Sequence, residues 1–129
     1  MNYMIDRKQS DDNKIVFSDG DKQVLVIEEF LKDNVIEIIP EGKLRSEITH
    51  DFFDEMQALI SVGLNVELNL SKVSYVSNSY MKGLIALQQK AEKTDKTIKI
   101  VNPSESMKEM LESTGAYALL WIEEEDDQK

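Results

Sequence analysis

Residues 66–84 read VELNLSKVSYVSNSYMKGL, and the change of period inside this stretch decides the fold. Val66, Leu68 and Leu70 alternate with Glu67 and Asn69, the two-residue period of a strand. Val73, Tyr75 and Val76 carry apolar character up to Ser77-Asn78-Ser79. Beyond that, Met81, Leu84, Ile85, Leu87 and Ala91 follow helical spacing, with Lys90, Glu92 and Lys93 turned to water. A strand that hands over directly to a helix is the first half of a β-α-β crossover.

The same alternation extends in both directions. Upstream, the spacing of Ile48, Phe52, Phe53, Met56, Leu59 and Ile60 predicts a helix from residue 46, stopped by Gly63. Residues 23–28 and 35–39 are short β-branched runs separated by Lys32-Asp33-Asn34, which predicts a hairpin. Pro40 and Gly42 are expected to end its second strand. Downstream, residues 97–101 read as a strand. Asn102 is expected to cap the next helix, with Pro103 at its first position and Glu105 completing a capping box. Met107, Met110, Leu111 and Thr114 trace one face of that helix, Gly115 ends it, and residues 118–122 form a last short strand or turn. Helices alternating with strands imply parallel pairing through right-handed crossovers, so the class is α/β with an N-terminal hairpin. Residues 1–22 are polar and read as a loosely attached arm, with room for one short strand around Ile15-Val16-Phe17. The domain then spans 23–122, and 123–129 is an acidic tail expected to fray.

Composition narrows the function. A chain of 129 residues is enough for one domain. Fifteen basic and 25 acidic residues give a net charge of −10, which argues against duplex DNA binding through phosphate neutralisation. The absence of cysteine excludes disulfides, thiolate metal sites and cysteine nucleophiles, and the single histidine, His50, excludes a multi-histidine site. No apolar run approaches the ~20 residues of a membrane span, and the expected compartment is the cytoplasm. There is no glycine-rich phosphate loop and no nucleophile elbow. Neither an enzyme nor a cofactor or metal site is expected. Asp51, Asp54, Glu55 and His50 read as a solvated helix face, and Trp121 and the six methionines as core or contact surface.

The informative site is Ser77-Asn78-Ser79-Tyr80, at the start of the middle helix. Backbone N–H groups there lack intrahelical partners, and the helix dipole favours negative charge. A serine at such a place either caps the helix, at about 1 kcal/mol, or accepts a phosphoryl group that the helix end partly stabilises.

With the elements placed, residues 35–122 resemble a STAS domain of the anti-anti-sigma factor (anti-sigma factor antagonist) family. The segments that carry the likeness are Ile38–Leu44, Val66–Val76, Ser77–Leu84, Val101–Ser104 and Leu111–Gly115. The resemblance implies a mixed β-sheet flanked by α-helices. It also implies regulation by partner switching: the domain binds an anti-sigma factor that is usually a serine kinase, phosphorylation breaks the complex, and a PP2C-type phosphatase restores it. Ser79 falls on the phosphorylated serine, and Ser77, Asn78, Ser79, Tyr80, Met81 and Lys82 on the partner-binding edge. Four positions depart from the family pattern. Ser77 and Asn69 stand for aspartates, Asn78 for a serine and Tyr80 for a glycine that follows the phosphorylated serine. These departures, with Tyr80 expected to narrow kinase access, suit an alternative. In it the chain is a constitutive structural module of a signalling scaffold or a lipid-transport complex.

The net charge is uneven. Residues 23–70 hold ten acids and three bases, a net −7, whereas residues 71–99 hold six lysines and two acids, a net +4. The candidate site therefore lies in the basic segment, which is expected to form one working edge that meets an acidic partner.

Overall fold

The computed structural model describes residues 5–11, 13–19 and 22–123. Eight strands and three helices run in the order β1 (Ile5–Asp11), β2 (Lys14–Asp19), β3 (Lys22–Lys32), β4 (Val35–Leu44), α1 (Ser46–Ser61), β5 (Asn65–Asn69), β6 (Val73–Val76), α2 (Asn78–Glu92), β7 (Ile98–Val101), α3 (Glu105–Thr114) and β8 (Trp121–Glu123). A 3-10 turn, Ala116–Ala118, separates α3 from β8. The sheet order is β1-β2-β3-β4-β5-β7-β8, antiparallel through β4 and parallel beyond it. This is the mixed α/β sheet expected from the alternation of periods.

The hairpin forms where the turn residues placed it. Asp33 takes a left-handed φ of 57°, which aspartate tolerates better than most residues. Its second strand, however, continues past Pro40 and Gly42 to Leu44. Gly42 N–H bonds to Lys72 O, so two-residue alternation turns the nitrogen of Pro40 toward the same edge of β4. Pairing with β5 stops at Ile38 on that edge and pairing with β6 starts at Gly42. Pro40 thus sits in the gap between two partners, where its missing N–H breaks no ladder bond.

The arm reading for residues 1–22 is overturned for the residues described: β1 and β2 form a hairpin whose second strand pairs with β3. Ile15 and Phe17, only 2% and 1% exposed, pair with Ile27 and Leu25 and extend the buried face of the sheet. Their alternation is too short to stand out among polar neighbours. The expected fraying of the tail falls outside the described residues beyond Glu123, which itself belongs to β8.

Alternation along the strands separates two faces. Ile36, Ile38, Val66, Leu68, Ile98 and Ile100 are buried on one, together with the helix residues Phe52, Met56, Leu84, Met107 and Leu111. Glu37, Glu67 and Lys99 point to the other. There Lys99 Nζ lies 2.9 Å from Glu123 and 3.7 Å from Glu67, and its pKa is raised chiefly by the hydrogen bond to Glu123.

Helix α3 corrects a third expectation. Ser104, not Asn102, is its cap, so Pro103 precedes the cap and Glu105 opens the helix. Asn102 instead adopts φ 49° and gives its N–H to Glu123 O, closing the end of β7. Ser104 Oγ accepts the Met107 N–H at 3.2 Å and donates to Val73 O at 2.7 Å. Ser104→Ala removes both bonds and is expected to lower unfolding stability by about 1–2 kcal/mol, read from the midpoint of a urea titration. An unchanged midpoint would mean that the cap contributes nothing. Gly115 ends α3 in the left-handed region at φ 76°, as its position predicts.

Candidate functional site

The parallel strands all end on the side of the sheet where α2 begins. Leu44 is the last residue of β4, and its carbonyl accepts the N–H of Ser77 at 2.9 Å. β6 is clamped to the same end of β4, with Lys43 opposite Tyr75 and Leu44 opposite Val76. The chain therefore enters α2 from a fixed point.

The two serines at the start of α2 differ in their surroundings. Ser77 is the cap: its backbone is extended and its Oγ accepts the Tyr80 N–H at 3.1 Å. It is 5% exposed. Ser79, in the first turn, is exposed, and among the described residues its hydroxyl has no hydrogen-bond partner. Asn78 and Lys82 are exposed beside it. Of the six residues assigned to a partner-binding edge, Ser77, Tyr80 and Met81 are buried, which removes them from direct contact; Asn78, Ser79 and Lys82 remain available.

Tyr80 is the largest correction. Its side chain is 0% exposed and packs between helices, 5.2 Å from the Phe52 ring and stacked on Phe53 at 5.0 Å. It does not stand in front of Ser79 and does not narrow access to it. The signal was present in the sequence, because Tyr80 falls on the same helical stripe as Leu84, Leu87 and Ala91. Its hydroxyl is buried and has no hydrogen-bond partner among the described residues, and burial pushes its pKa well above the ordinary value. Gly83 completes this seam: a Cβ there would lie 2.4 Å from Cε2 of Phe53, so the glycine lets α1 and α2 approach closely.

Asn69 has its own physical account. Its Oδ1 accepts the N–H of Ser71 at 3.0 Å, forming the turn between β5 and β6, while its Nδ2 donates to Glu37 Oε2 at 3.1 Å. An aspartate could close the turn but would set a carboxylate against Glu37. The neutral residue fits its cross-strand neighbour.

The lysines of residues 71–99 do not form one basic edge. Lys72 pairs with Glu28 and Lys99 with Glu67 and Glu123, while Lys90, Lys93 and Lys96 lie toward the other end of α2. Only Lys82 stands beside Ser79. The exposed residues Lys43, Arg45 and Tyr75, which the sequence reading did not single out, border the site instead. Tyr75 is 49% exposed. Register alone reveals them, since β6 pairs with β4 across a separation of more than thirty residues.

The remaining candidates are accounted for simply. His50 and Asp54 are exposed and pair with each other at 3.2 Å, on the solvated face expected for them. Trp121 is 47% exposed on the edge strand. Among the described residues no acidic or histidine cluster is arranged to hold a metal ion, and no helix is long and apolar enough to cross a membrane.

A family model described as "Mlab, STAS domain" matches residues 31–120, a span from the end of β3 to the residue before β8. No curated protein sequence matches significantly. Several solved structures share the fold at low identity. An anti-sigma factor antagonist from Mycobacterium paratuberculosis is 15% identical, with TM-score 0.68, covering 76% of this chain and 84% of its own. The antagonist SpoIIAA in its unphosphorylated form is 13% identical, with TM-score 0.66, covering 78% and 89%. The Bacillus cell fate determinant SpoIIAA in the phosphorylated form is 14% identical, with TM-score 0.62, covering 78% and 92%.

Proposed function

Because this chain belongs to the STAS domain family, we propose that it is a non-enzymatic, cytoplasmic anti-sigma factor antagonist, regulated by phosphorylation of Ser79. Its partner is an anti-sigma factor or a related serine kinase, and a PP2C-type phosphatase resets it. The observation that carries this reading is the division between the two serines. Ser77 holds the helix start, so Ser79 is left exposed with an uncommitted hydroxyl in the first turn of α2. A phosphate there meets the positive end of the helix dipole and Lys82 one turn on, and it changes the charge of the exposed surface.

The binding surface in this reading is Lys43, Arg45, Tyr75, Asn78, Ser79 and Lys82. It carries exposed cations around an aromatic ring, which suits an acidic, partly apolar partner patch. Incubation with the cognate kinase and ATP is expected to add one phosphate, at Ser79, detected by mass spectrometry. If Ser79→Ala is phosphorylated as well as the wild type, the site assignment is wrong.

One observation favours a constitutive module of a scaffold or lipid-transport complex. The residues flanking Ser79 are neutral or buried and offer a kinase no acidic determinant. Under that reading the same incubation leaves the chain unmodified.

A further inference from the structure

We infer that β8 is a releasable strap, and that Gln88 makes its attachment and the seating of α2 a single equilibrium. β8 is three residues long and lies at the edge of the sheet. Beyond a three-pair ladder with β7, side chains from both faces of the sheet fasten it. Gln88, on α2, is 7% exposed; its Oε1 accepts the N–H of Trp121 at 3.2 Å and its Nε2 donates to Glu92 at 3.4 Å. From the other face of the sheet, Lys99 reaches Glu123 at 2.9 Å and lies 5.2 Å from the centre of the Trp121 ring. Its apolar anchors are few: Ile122 is partly buried against the core and Leu120 is buried just before the strand, whereas Leu119 and Trp121 are 57% and 47% exposed. A strand fastened this way opens locally well before the core does.

Opening has a consequence for α2. Without the Trp121 N–H, the Gln88 carbonyl oxygen is left unpaired in a place nearly closed to water, which penalises the present seating of the helix. Conversely, a shift of α2 that withdraws Gln88 removes a bond that holds the start of β8. The coupling is reciprocal by thermodynamic necessity. Ser77 fixes one end of α2 through Leu44, and Gln88 sits eleven residues on, roughly 16 Å along the axis. The regulatory meaning rests on the Ser79 reading, since it makes β8 the place where a change at the start of α2 is felt. The coupling itself does not depend on it.

Hydrogen exchange followed by mass spectrometry on the full chain tests this with Gln88→Met and Lys99→Met. Lys99 lies on the sheet face away from α2, so its substitution loosens β8 without touching the helix. Lys99→Met is expected to speed exchange about tenfold in peptides covering 119–123 and, with it, in those covering 84–92. Gln88→Met is expected to speed exchange in 119–123. Unchanged exchange in 84–92 for Lys99→Met, unchanged exchange in 119–123 for Gln88→Met, or a uniform rise over the whole chain would each overturn the coupling. None of these outcomes bears on whether Ser79 accepts a phosphate, so the two ideas fail separately.

Discussion

Tyr80→Ala is expected to lower unfolding stability by about 3–5 kcal/mol, whereas Tyr80→Phe should leave it unchanged or raise it. The ring fills the seam between α1 and α2 against Phe52 and Phe53, so truncation opens a cavity that rigid helix backbones cannot close. The hydroxyl adds no bond in return for its burial. Removing it alone therefore relieves a desolvation penalty at nearly constant volume. The pH dependence has a definite sign. Burial raises the folded pKa of Tyr80, so the folded state keeps its phenol proton at pH values where the unfolded chain loses it. Stability from this group is fully present below about 10, the ordinary tyrosine value, and falls as pH rises above it. Tyr80→Phe should flatten that alkaline decline. Denaturant titrations from pH 8 to 11 check both statements, and a destabilised phenylalanine variant would show that the hydroxyl has a partner.

Ser79→Asp is expected to weaken binding to the cognate anti-sigma factor by a hundredfold or more, about 3 kcal/mol, while leaving the melting temperature within a degree or two of wild type. A carboxylate in the middle of the proposed surface offsets the charge of Lys82, lowers the positive charge of a surface that also holds Lys43 and Arg45, and faces the acidic patch these cations are taken to recognise. In the fold the same carboxylate is neutral to favourable, because it sits in the first turn of α2 where the helix dipole welcomes it. Titration calorimetry and thermal melts on one preparation separate the two effects. Equal affinity for wild type and variant would favour the constitutive module.

How much of this was legible in the sequence depends on the range over which each signal acts. The hairpin turn at Asp33-Asn34, the strand at Asn65–Asn69 and the stop at Gly115 are local, and local chemistry placed them. The cap of α3 misled because Asn102 and Ser104 are both good caps, and the choice was made by Glu123 and Val73, which lie elsewhere in the chain. Pro40 misled for the same reason: whether a proline ends a strand depends on what its nitrogen faces, and that is set by β5 and β6. Residues 15–17 read as a short strand, but three residues do not show that it joins the sheet; β3 supplies that register. At the candidate site, Ser79 is singled out by its sequence position alone, but the exposed surround of Lys43, Arg45 and Tyr75 is assembled by pairing across distant segments. Tyr80 is core by its helical spacing, in step with Leu84, Leu87 and Ala91, a signal independent of its place in the motif.

The pair of serines at the start of α2 has a consequence for how such a chain diverges. Selection for a folded protein acts on Ser77, whose oxygen secures the helix, and hardly at all on Ser79, whose oxygen secures nothing. A lineage can therefore lose the hydroxyl at 79, keep it, or regain it, without passing through an unstable intermediate. If Ser79 is the regulated residue, as proposed, the responsiveness of the domain is inherited separately from its architecture.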